Sequence, residues 1–281
     1  MNVTMDKESG RKVARALTIA GSDSSGGAGI QADLKTFQEL GVYGMSAITA
    51  VTAQNTLGVQ AVYPLSPEAV VQQIRAVGSD IGVDAVKTGM LFSSEIILAV
   101  AEAIQDFGWT QVVVDPVMIA KGGAVLLQEE AIRALTGKLL PLTAVVTPNI
   151  PEAEKLTGMA ILNKTDKEEA ARRLAGFGAK YVIIKGGHDT GVEAVDLLFD
   201  GSCFTELAGK RVATGHTHGT GCTFSAALTA GLARGLGIES SMRQAKAFIQ
   251  AAIEQGINIG SGRGPTNHWA YQRSQIPDVP D

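Results

Sequence analysis

Short runs of β-branched residues alternate with longer segments of helical periodicity through most of this chain. Runs such as VVVD and YVIIK are almost continuously apolar, which is typical of strands buried on both faces of a parallel sheet. Regular alternation of such strands with helices indicates an α/β layer fold. Strands are predicted over residues 16–20, 45–53, 85–87, 112–115, 144–147 and 181–185. Helices are predicted over residues 30–40, 67–80, 94–107, 128–139, 151–157 and 167–177.

The pattern changes after the sixth predicted strand. Residues 194–199 and 202–207 are strand candidates separated by the dipeptide Asp-Gly, which is a strong signal for a hairpin turn. Two helices, over about 219–234 and 240–257, follow the hairpin. We therefore expect a mostly parallel central sheet with helices on both faces and a small hairpin at its edge.

The domain organisation follows from the absence of any internal repeat, low-complexity stretch or linker in the sequence. A length of 281 residues is within reach of one large α/β domain. We predict a single domain over residues 16–268, preceded by a disordered extension over 1–15 and followed by an irregular tail over 269–281.

The net charge of −4 makes nucleic acid an unexpected partner, because nucleic-acid binding requires a basic field. The sequence shows no secretory signal and no run of about 20 apolar residues, so we expect a cytoplasmic protein without a membrane partner. The two cysteines, Cys203 and Cys222, are too few for a disulfide framework or a zinc cluster. Cys203 is expected to pack within a strand.

The first predicted strand ends at Gly21 and continues into a loop of small residues, GSDSSGGAG. Gly27-x-Gly29-x-x-Ala32 matches a relaxed dinucleotide fingerprint, but its glycines should follow the strand at once. A nicotinamide-dependent oxidoreductase is therefore a disfavoured alternative. The small residues allow a flat ligand to approach the backbone. Asp33 in the following helix could accept hydrogen bonds from a ring amine, or could be an ordinary surface carboxylate.

The segment HGTGCT precedes a helix of small residues, FSAALTAGLARG. Its glycines free backbone N–H groups to converge on one point, and the helix dipole adds positive charge there, which suits a transferring phosphoryl group. Cys222 lies at this helix N-terminus, where a depressed thiol pKa would allow it to accept a proton from a substrate hydroxyl. The alternative is an ordinary helix start that is made flexible by its glycines and contains a small buried cysteine. Walker A and protein-kinase motifs do not occur in the sequence.

Polar residues also follow three later strands. Asp115 ends an apolar strand, and Glu152 could join it in holding Mg²⁺ through water. Asn149 and Glu152 are equally well explained as a helix cap, with Pro151 at an early helical position. Lys185, followed by two glycines, could reach a nucleotide phosphate.

The four histidines are too scattered along the chain to predict a metal site. His216 and His218 are interpreted as loop residues that frame the anion-binding segment. The glycines after Lys121 suggest a mobile flap.

Seven motifs together resemble the bacterial hydroxymethylpyrimidine/phosphomethylpyrimidine kinases of thiamine biosynthesis. In order, they are GSDSSGGAGIQADLKTF, AVTAQNTLGV, VKTGML, VVVDPVM, TPNIPEAE, VIIKGGH and THGTGCTFSAALTA. The resemblance extends from about Ala16 to about Trp269. It implies a three-layer ribokinase-like fold, ATP and Mg²⁺ as cofactors, and a homodimer.

The resemblance also assigns residues. It implies a pyrimidine site formed by Gly21, Ala28, Asp33, Gln54, Met90 and Val117. Within that site, Asp33 and Gln54 would bind ring nitrogens and the exocyclic amine, while Met90 and Val117 would supply apolar walls.

For the transfer itself, Cys222 matches the cysteine that takes the place of the catalytic aspartate in most ribokinase-like enzymes. The resemblance further implies an anion hole of Gly219, Thr220 and Gly221, nucleotide-phosphate contacts from Lys185 and Asn149, and Asp115 and Glu152 around Mg²⁺.

The implied activity is two successive phosphorylations, of the hydroxymethyl group and then of the resulting monophosphate. Related enzymes with the same glycine loop and cysteine phosphorylate pyridoxine-type substrates, so a pyridoxine or pyridoxal kinase is the main alternative and dual activity is plausible. A vitamin-binding protein without activity is disfavoured by the intact set of Cys222, Lys185 and Glu152.

Overall fold

A computed structural model describes residues 12–118, 128–188 and 191–274. The predicted flap at Lys121 lies outside these residues. The strands are β1 (Arg15–Asp23), β2 (Tyr43–Asn55), β3 (Gly58–Pro64), β4 (Ala85–Thr88), β5 (Val112–Val114), β6 (Val145–Val146), β7 (Tyr181–Ile184), β8 (Glu193–Phe199) and β9 (Phe204–Lys210). The α-helices are α1 (Gly29–Glu39), α2 (Pro67–Asp80), α3 (Ser94–Phe107), α4 (Glu129–Ala134), α5 (Ile150–Thr157), α6 (Lys164–Gly176), α7 (Thr220–Ala233), α8 (Ile238–Glu254) and α9 (Ala270–Arg273).

The strands of the described residues form one sheet in the order β3-β2-β1-β4-β5-β6-β7-β8-β9. The six central strands from β2 to β7 are parallel. Strand β3 pairs antiparallel with β2 at one edge, and β8 and β9 form the predicted hairpin at the other. The mostly parallel α/β fold is thus confirmed.

Helices cover both faces of the sheet, which gives three layers. Helices α2 to α6 bury one apolar cluster against the first face, whereas α1, α7 and α8 bury a second cluster against the other. Strand β5 shows why the VVVD run has no polar alternation: Val112 and Val114 enter the first cluster, and Val113 enters the second.

The structure departs from the sequence analysis of the sheet in three places. Strand β1 does not end at Gly21 but continues to Asp23, through a register shift beside β2. The segment that includes β3 carries a glycine and a proline and was not predicted as a strand; pairing with β2 supplies the hydrogen bonds that hold it. Cys203 is also exposed, because it lies in the hairpin turn rather than within β9.

Neither end of the predicted domain, at residue 16 or at residue 268, coincides with the end of a helix or strand. Arg15 already belongs to β1, and its guanidinium pairs with Asp84 at 3.0 Å, where Lys12 also pairs at 2.7 Å. Beyond residue 268, the short helix α9 is ordered against α8. No helix among the described residues is long and apolar enough to cross a bilayer.

The topology determines where ligands can bind. The chain passes from β1 to β2 on one side, while β4 pairs with β1 on the other, so the strand order reverses at β1. Open α/β sheets bind ligands in the crevice beyond the carboxyl ends of the strands at such a point. The glycine loop after β1 and the polar residues after β5, β6 and β7 all lie at this edge.

Candidate active site

A cavity of about 1460 Å³ opens at the carboxyl edge of the sheet. Sites for one small molecule commonly have volumes of about 300–1,000 Å³, so this cavity is large enough for two ligands. All predicted site residues except Asp33 line it: Gly21, Ala28, Gln54, Met90, Asp115, Val117, Asn149, Glu152, Lys185, Gly219, Thr220, Gly221 and Cys222.

The anion-binding segment takes the predicted form at the start of α7. Gly219 is the N-cap residue with a φ of +81°, a left-handed conformation that favours glycine. A Cβ there would also collide with the carbonyl oxygen of Gly27 in the glycine loop. The following residues, from Thr220, begin a helix of 14 residues, so its positive end and its first N–H groups face the cavity.

The prediction that the pKa of the Cys222 thiol is depressed is wrong. Burial raises the pKa of this thiol to about 11, despite its position at the start of α7. Lys87 and a hydrogen bond from the Gly29 backbone N–H lower the pKa, but the carboxylates of Asp115 and Asp33 act in the same direction as burial. Cys222 is therefore a protonated thiol at neutral pH rather than a ready thiolate.

Lys185 forms the cationic side of the cavity. Its Nζ lies 2.8 Å from Asp115 Oδ1, and a Cβ on Gly221 would lie 3.2 Å from the same Nζ. The glycine thus leaves room for the ammonium beside the start of α7. Burial lowers the pKa of Lys185, but Asp115 and Glu152 outweigh burial and raise it overall.

Asn149 and Glu152 form a complete capping box at the start of α5. The Glu152 N–H donates to Asn149 Oδ1 at 2.9 Å, and the Asn149 N–H donates to Glu152 Oε2 at 2.8 Å. Both residues nevertheless line the cavity. The helix-cap interpretation is therefore confirmed, and the cap holds both side chains at the ligand edge.

Asp115 and Glu152 supply only oxygen donors, which suits Mg²⁺ in a hydrated state. Burial raises the pKa of Glu152 to about 7; Lys185 lowers it and Asp115 raises it further. Among the described residues, no group of three or more His, Cys, Asp or Glu side chains has metal-site geometry. Two carboxylates fit a cation held largely by water and ligand phosphates.

Asp33 occupies a different environment from the predicted one. Its side chain is 0% exposed, and Lys87, also 0% exposed, pairs with it. Lys87 Nζ lies 2.8 Å from both carboxylate oxygens, and the Thr18 hydroxyl donates to Oδ2 at 2.6 Å. Burial raises the pKa of Asp33, against the opposing effects of Lys87 and Thr18. Asp33 therefore lies below the cavity wall and does not contact its interior.

A second acid, Asp23, organises the glycine loop and was not singled out from the sequence. Asp23 accepts from the Ser25 and Ala28 backbone N–H groups, at 2.9 and 2.8 Å. His218 Nε2 lies 2.9 Å from Asp23 Oδ2. Although burial opposes ionisation, the hydrogen bonds from His218, Ser25 and Ala28 keep the pKa of Asp23 below its usual value. The position of Asp23 two residues after Gly21 was the available signal.

Gly21 and Met90, both predicted to contact the small substrate, lie against each other in the cavity lining. A Cβ on Gly21 would collide with the Met90 terminal methyl, so glycine at this position leaves space for that side chain. Gln54 belongs to β2, and its side chain reaches the loop before α7, where Nε2 lies 3.3 Å from His218 Nε2.

The cavity lining also includes the apolar side chains of Val212, Ile249 and Ile253. Lys246 and Asp196 form an ion pair of 2.8 Å at its wall. These lining residues were not predicted from the sequence, because they come from β8, α8 and the segment after β9, which carry no recognisable motif.

Comparison with known proteins decides the family. Residues 23–267 match the family described as phosphomethylpyrimidine kinase.

The chain belongs to the phosphomethylpyrimidine kinase family. A hydroxymethylpyrimidine/phosphomethylpyrimidine kinase of Bacillus subtilis is 56% identical over 263 residues, 93% of this chain and 97% of the relative. A pyridoxine kinase of the same organism is 46% identical over 265 residues, 93% of this chain and 98% of the relative. The solved ADP complex of Bacillus subtilis pyridoxal kinase is 44% identical, has a TM-score of 0.86, and covers 93% of this chain and 100% of its own. Membership of this kinase family confirms the ribokinase-like fold and a phosphotransferase activity.

Proposed function

We propose that this member of the phosphomethylpyrimidine kinase family phosphorylates 4-amino-5-hydroxymethyl-2-methylpyrimidine with ATP, first to the monophosphate and then to the diphosphate, in thiamine biosynthesis. The observation that supports the proposal is that the residues predicted for the phosphate groups and those predicted for the small substrate line one cavity. The anion-binding start of α7 lies beside Lys185, and the pocket of Gln54 and Met90 lies within the same lining.

In the first transfer, the hydroxymethyl oxygen attacks the γ-phosphorus. A new P–O bond forms as the bond to the β-phosphate oxygen breaks, and ADP leaves with that electron pair. Catalysis of this kind is mostly positioning and charge stabilisation. We assign the charge stabilisation to the backbone N–H groups of Gly219, Thr220 and Gly221, and to the Lys185 ammonium. Asn149 lies at the same edge for the nucleotide phosphates.

Bound Mg²⁺ would neutralise charge on the nucleotide phosphates, and Asp115 and Glu152 are the residues that would hold it. The small substrate would contact Gln54 by hydrogen bonds and Met90 and Val117 by apolar surface. Gly21 and Ala28 allow the ring to approach the backbone. Asp33 has no direct contact with substrate in this account.

Cys222 lies where a group could receive the substrate proton. Only its thiolate can accept a proton, and burial, which raises the pKa of the thiol to about 11, makes the thiolate a minor form at neutral pH. The first transfer removes a proton from an alcohol, whereas the second uses a phosphate that is already anionic. We therefore expect Cys222→Ala to slow the first transfer far more than the second. Equal losses in both would show that Cys222 only shapes the anion hole.

A pyridoxine kinase is the second candidate, favoured by the 46% identity to the Bacillus subtilis pyridoxine kinase. The test is ATP consumption by the purified protein with Mg²⁺, offering hydroxymethylpyrimidine and pyridoxine separately. Higher kcat/KM for the pyrimidine supports the proposal. Turnover of pyridoxine alone would reject it while preserving the kinase chemistry.

We also infer a cytoplasmic homodimer, as the family resemblance implies. The exposed apolar side chains of Tyr43, Val51 and Tyr63 on β2 and β3 offer a surface that a second copy would cover. Light scattering coupled to size exclusion measures this directly, and a mass of one chain would reject the dimer.

A further inference from the structure

The turn that follows Lys185 is held by a side chain at the point where the backbone ladder stops. The pairing of β7 with β8 ends at Ile184, and a short 3₁₀ turn over Gly186–His188 follows. The Gly186 N–H donates to Asp196 Oδ1 at 2.7 Å, and this hydrogen bond is buried. A carboxylate acceptor makes such a bond stronger than a bond between two neutral groups. Asp196 therefore anchors the turn.

The same hydrogen bond constrains the backbone of Lys185. The Gly186 N–H and the Lys185 carbonyl belong to one planar peptide unit, so fixing the N–H also fixes the direction in which the chain leaves Lys185. On the other side, the Lys185 N–H donates to the Pro148 carbonyl oxygen at 2.9 Å. Lys185 is therefore held at both of its peptide bonds, at one by the backbone after β6 and at the other by Asp196.

The second carboxylate oxygen of Asp196 binds Lys246 of α8. Asp196 Oδ2 lies 2.8 Å from Lys246 Nζ, which also donates to the Ala194 carbonyl oxygen at 2.8 Å. The side chains of Asp196 and Lys246 are 6% and 11% exposed. A Cβ on Gly209 would collide with the Lys246 side chain, so the glycine in β9 leaves space for the lysine. Lys246 thus fixes the carboxylate that anchors the turn.

The position of the Lys185 ammonium depends on this anchor once a nucleotide binds. Its side-chain partner is Asp115, at 2.8 Å, and Asp115 is also one of the two carboxylates proposed to hold Mg²⁺. Bound phosphates and Mg²⁺ would compete for both members of this ion pair. The backbone of Lys185 then determines where the ammonium can reach, and phosphoryl transfer depends mostly on positioning of this kind. Asp196 and Lys246 line the same cavity as Lys185.

We propose that Asp196, fixed by Lys246, is a positioning residue that holds the peptide after Lys185 and thereby places the Lys185 ammonium on the phosphates of bound ATP. The inference rests on the phosphate contact assigned to Lys185 in the proposed function. It assigns no contact between the nucleotide and Asp196 or Lys246 themselves. Loss of the anchor should therefore weaken the binding of ATP but not of adenosine, which has the same base and sugar without the phosphates.

Two double variants separate the hydrogen bond to Gly186 from the ion pair. Asp196→Leu/Lys246→Met removes both charges and also the acceptor for the Gly186 N–H. Asp196→Asn/Lys246→Gln removes both charges, but the introduced asparagine oxygen can still accept from Gly186, and the asparagine nitrogen can donate to the introduced glutamine. Because both partners are replaced, neither variant leaves an unpaired buried charge. The midpoint of thermal unfolding checks that each variant is folded.

Isothermal titration measures the Kd of ATP with Mg²⁺, and that of adenosine, in the absence of a small substrate. We expect Asp196→Leu/Lys246→Met to raise the Kd of ATP about tenfold or more, because a charge-assisted contact is lost. The Kd of adenosine should change by less than about threefold. Asp196→Asn/Lys246→Gln should bind both ligands within about threefold of the wild-type protein, since it retains the acceptor.

A second measurement tests whether the anchor acts through Lys185. In a Lys185→Met background, Asp196→Leu/Lys246→Met should change the Kd of ATP by less than about twofold, because the ammonium that it positions is already absent. The matched control is Arg75→Met/Asp106→Leu, at an exposed ion pair outside the cavity lining. It should leave the Kd of both ligands unchanged.

Equal losses of ATP affinity with and without Lys185 would overturn the inference, because Asp196 and Lys246 would then act independently of the ammonium. An equal loss for adenosine would overturn it as well, and so would a loss of about tenfold in Asp196→Asn/Lys246→Gln. Unchanged ATP affinity in Lys185→Met would reject the phosphate contact and the inference with it. Failure of the wild-type protein to phosphorylate the pyrimidine is a separate outcome, which rejects the proposed substrate and leaves the ATP affinities as the test of the anchor.

Discussion

Removal of the buried Lys87 ammonium tests how this fold supports its active site. Lys87 and Asp33 are both 0% exposed and lie 2.8 Å apart. Lys87→Met retains the length of the side chain but leaves a buried carboxylate with the Thr18 hydroxyl as its remaining side-chain donor. Breaking one partner of such a pair costs about 3–5 kcal/mol of unfolding free energy.

The double variant Lys87→Met/Asp33→Leu separates this cost from lost packing. Replacement of a whole buried pair by apolar residues of similar volume is often neutral or stabilising. We therefore expect the double variant to be more stable than Lys87→Met by at least about 2 kcal/mol. Guanidinium unfolding, followed by fluorescence and by circular dichroism, gives the midpoints and slopes.

The matched control is the surface pair of Arg75 and Asp106, at 3.6 Å with side chains 62% and 54% exposed. Arg75→Met should cost less than about 1 kcal/mol. A cost below about 1 kcal/mol for Lys87→Met, or additive effects of the two core substitutions, would refute the account. A large rise in substrate KM for Asp33→Asn without loss of stability would restore Asp33 as a ligand.

Three further predictions follow from single residues. Iodoacetamide at pH 7.5 should label the exposed Cys203 at least about tenfold faster than Cys222, as measured by peptide mass spectrometry; equal rates would contradict the raised pKa. Burial lowers the pKa of His268 from 6.5 to about 4, so its stabilising contribution, on the order of 3 kcal/mol, is present above pH 6.5 and lost as the pH falls to 4. The midpoint of thermal unfolding should fall less steeply with pH over that range in His268→Gln than in the wild-type protein. The same slope in both proteins would contradict the lowered pKa of His268. Gly219→Ala should cost about 1–3 kcal/mol and abolish most kinase activity, whereas Gly137→Ala, with nothing within 4 Å of the new Cβ, should do neither.

The sequence predicts the fold well because its signals are local. The uninterrupted apolar run before Asp115 reports burial on both faces of a sheet, and the Asp-Gly dipeptide reports the hairpin. The start of α7 is predictable for the same reason, since Gly219 must adopt a left-handed conformation. The missed strand β3 depends on pairing with β2, which local periodicity does not report.

The site residues were harder to predict wherever two distant segments meet. Asp33 resembles a ligand in the sequence, but its partner Lys87 is 54 positions away. A separation of 195 positions hides the pairing of Asp23 with His218 in the same way. The thiol of Cys222 illustrates a different limit, because a helix N-terminus lowers a pKa only if burial and nearby carboxylates do not outweigh it.

The most direct test of the central claim is the time course of products from hydroxymethylpyrimidine, ATP and Mg²⁺, resolved by phosphorus NMR. The account predicts that the monophosphate appears first and is then converted to the diphosphate by the same protein. A monophosphate that accumulates without further conversion would contradict the double transfer. An unaltered pyrimidine alongside full turnover of pyridoxine would contradict the proposed substrate.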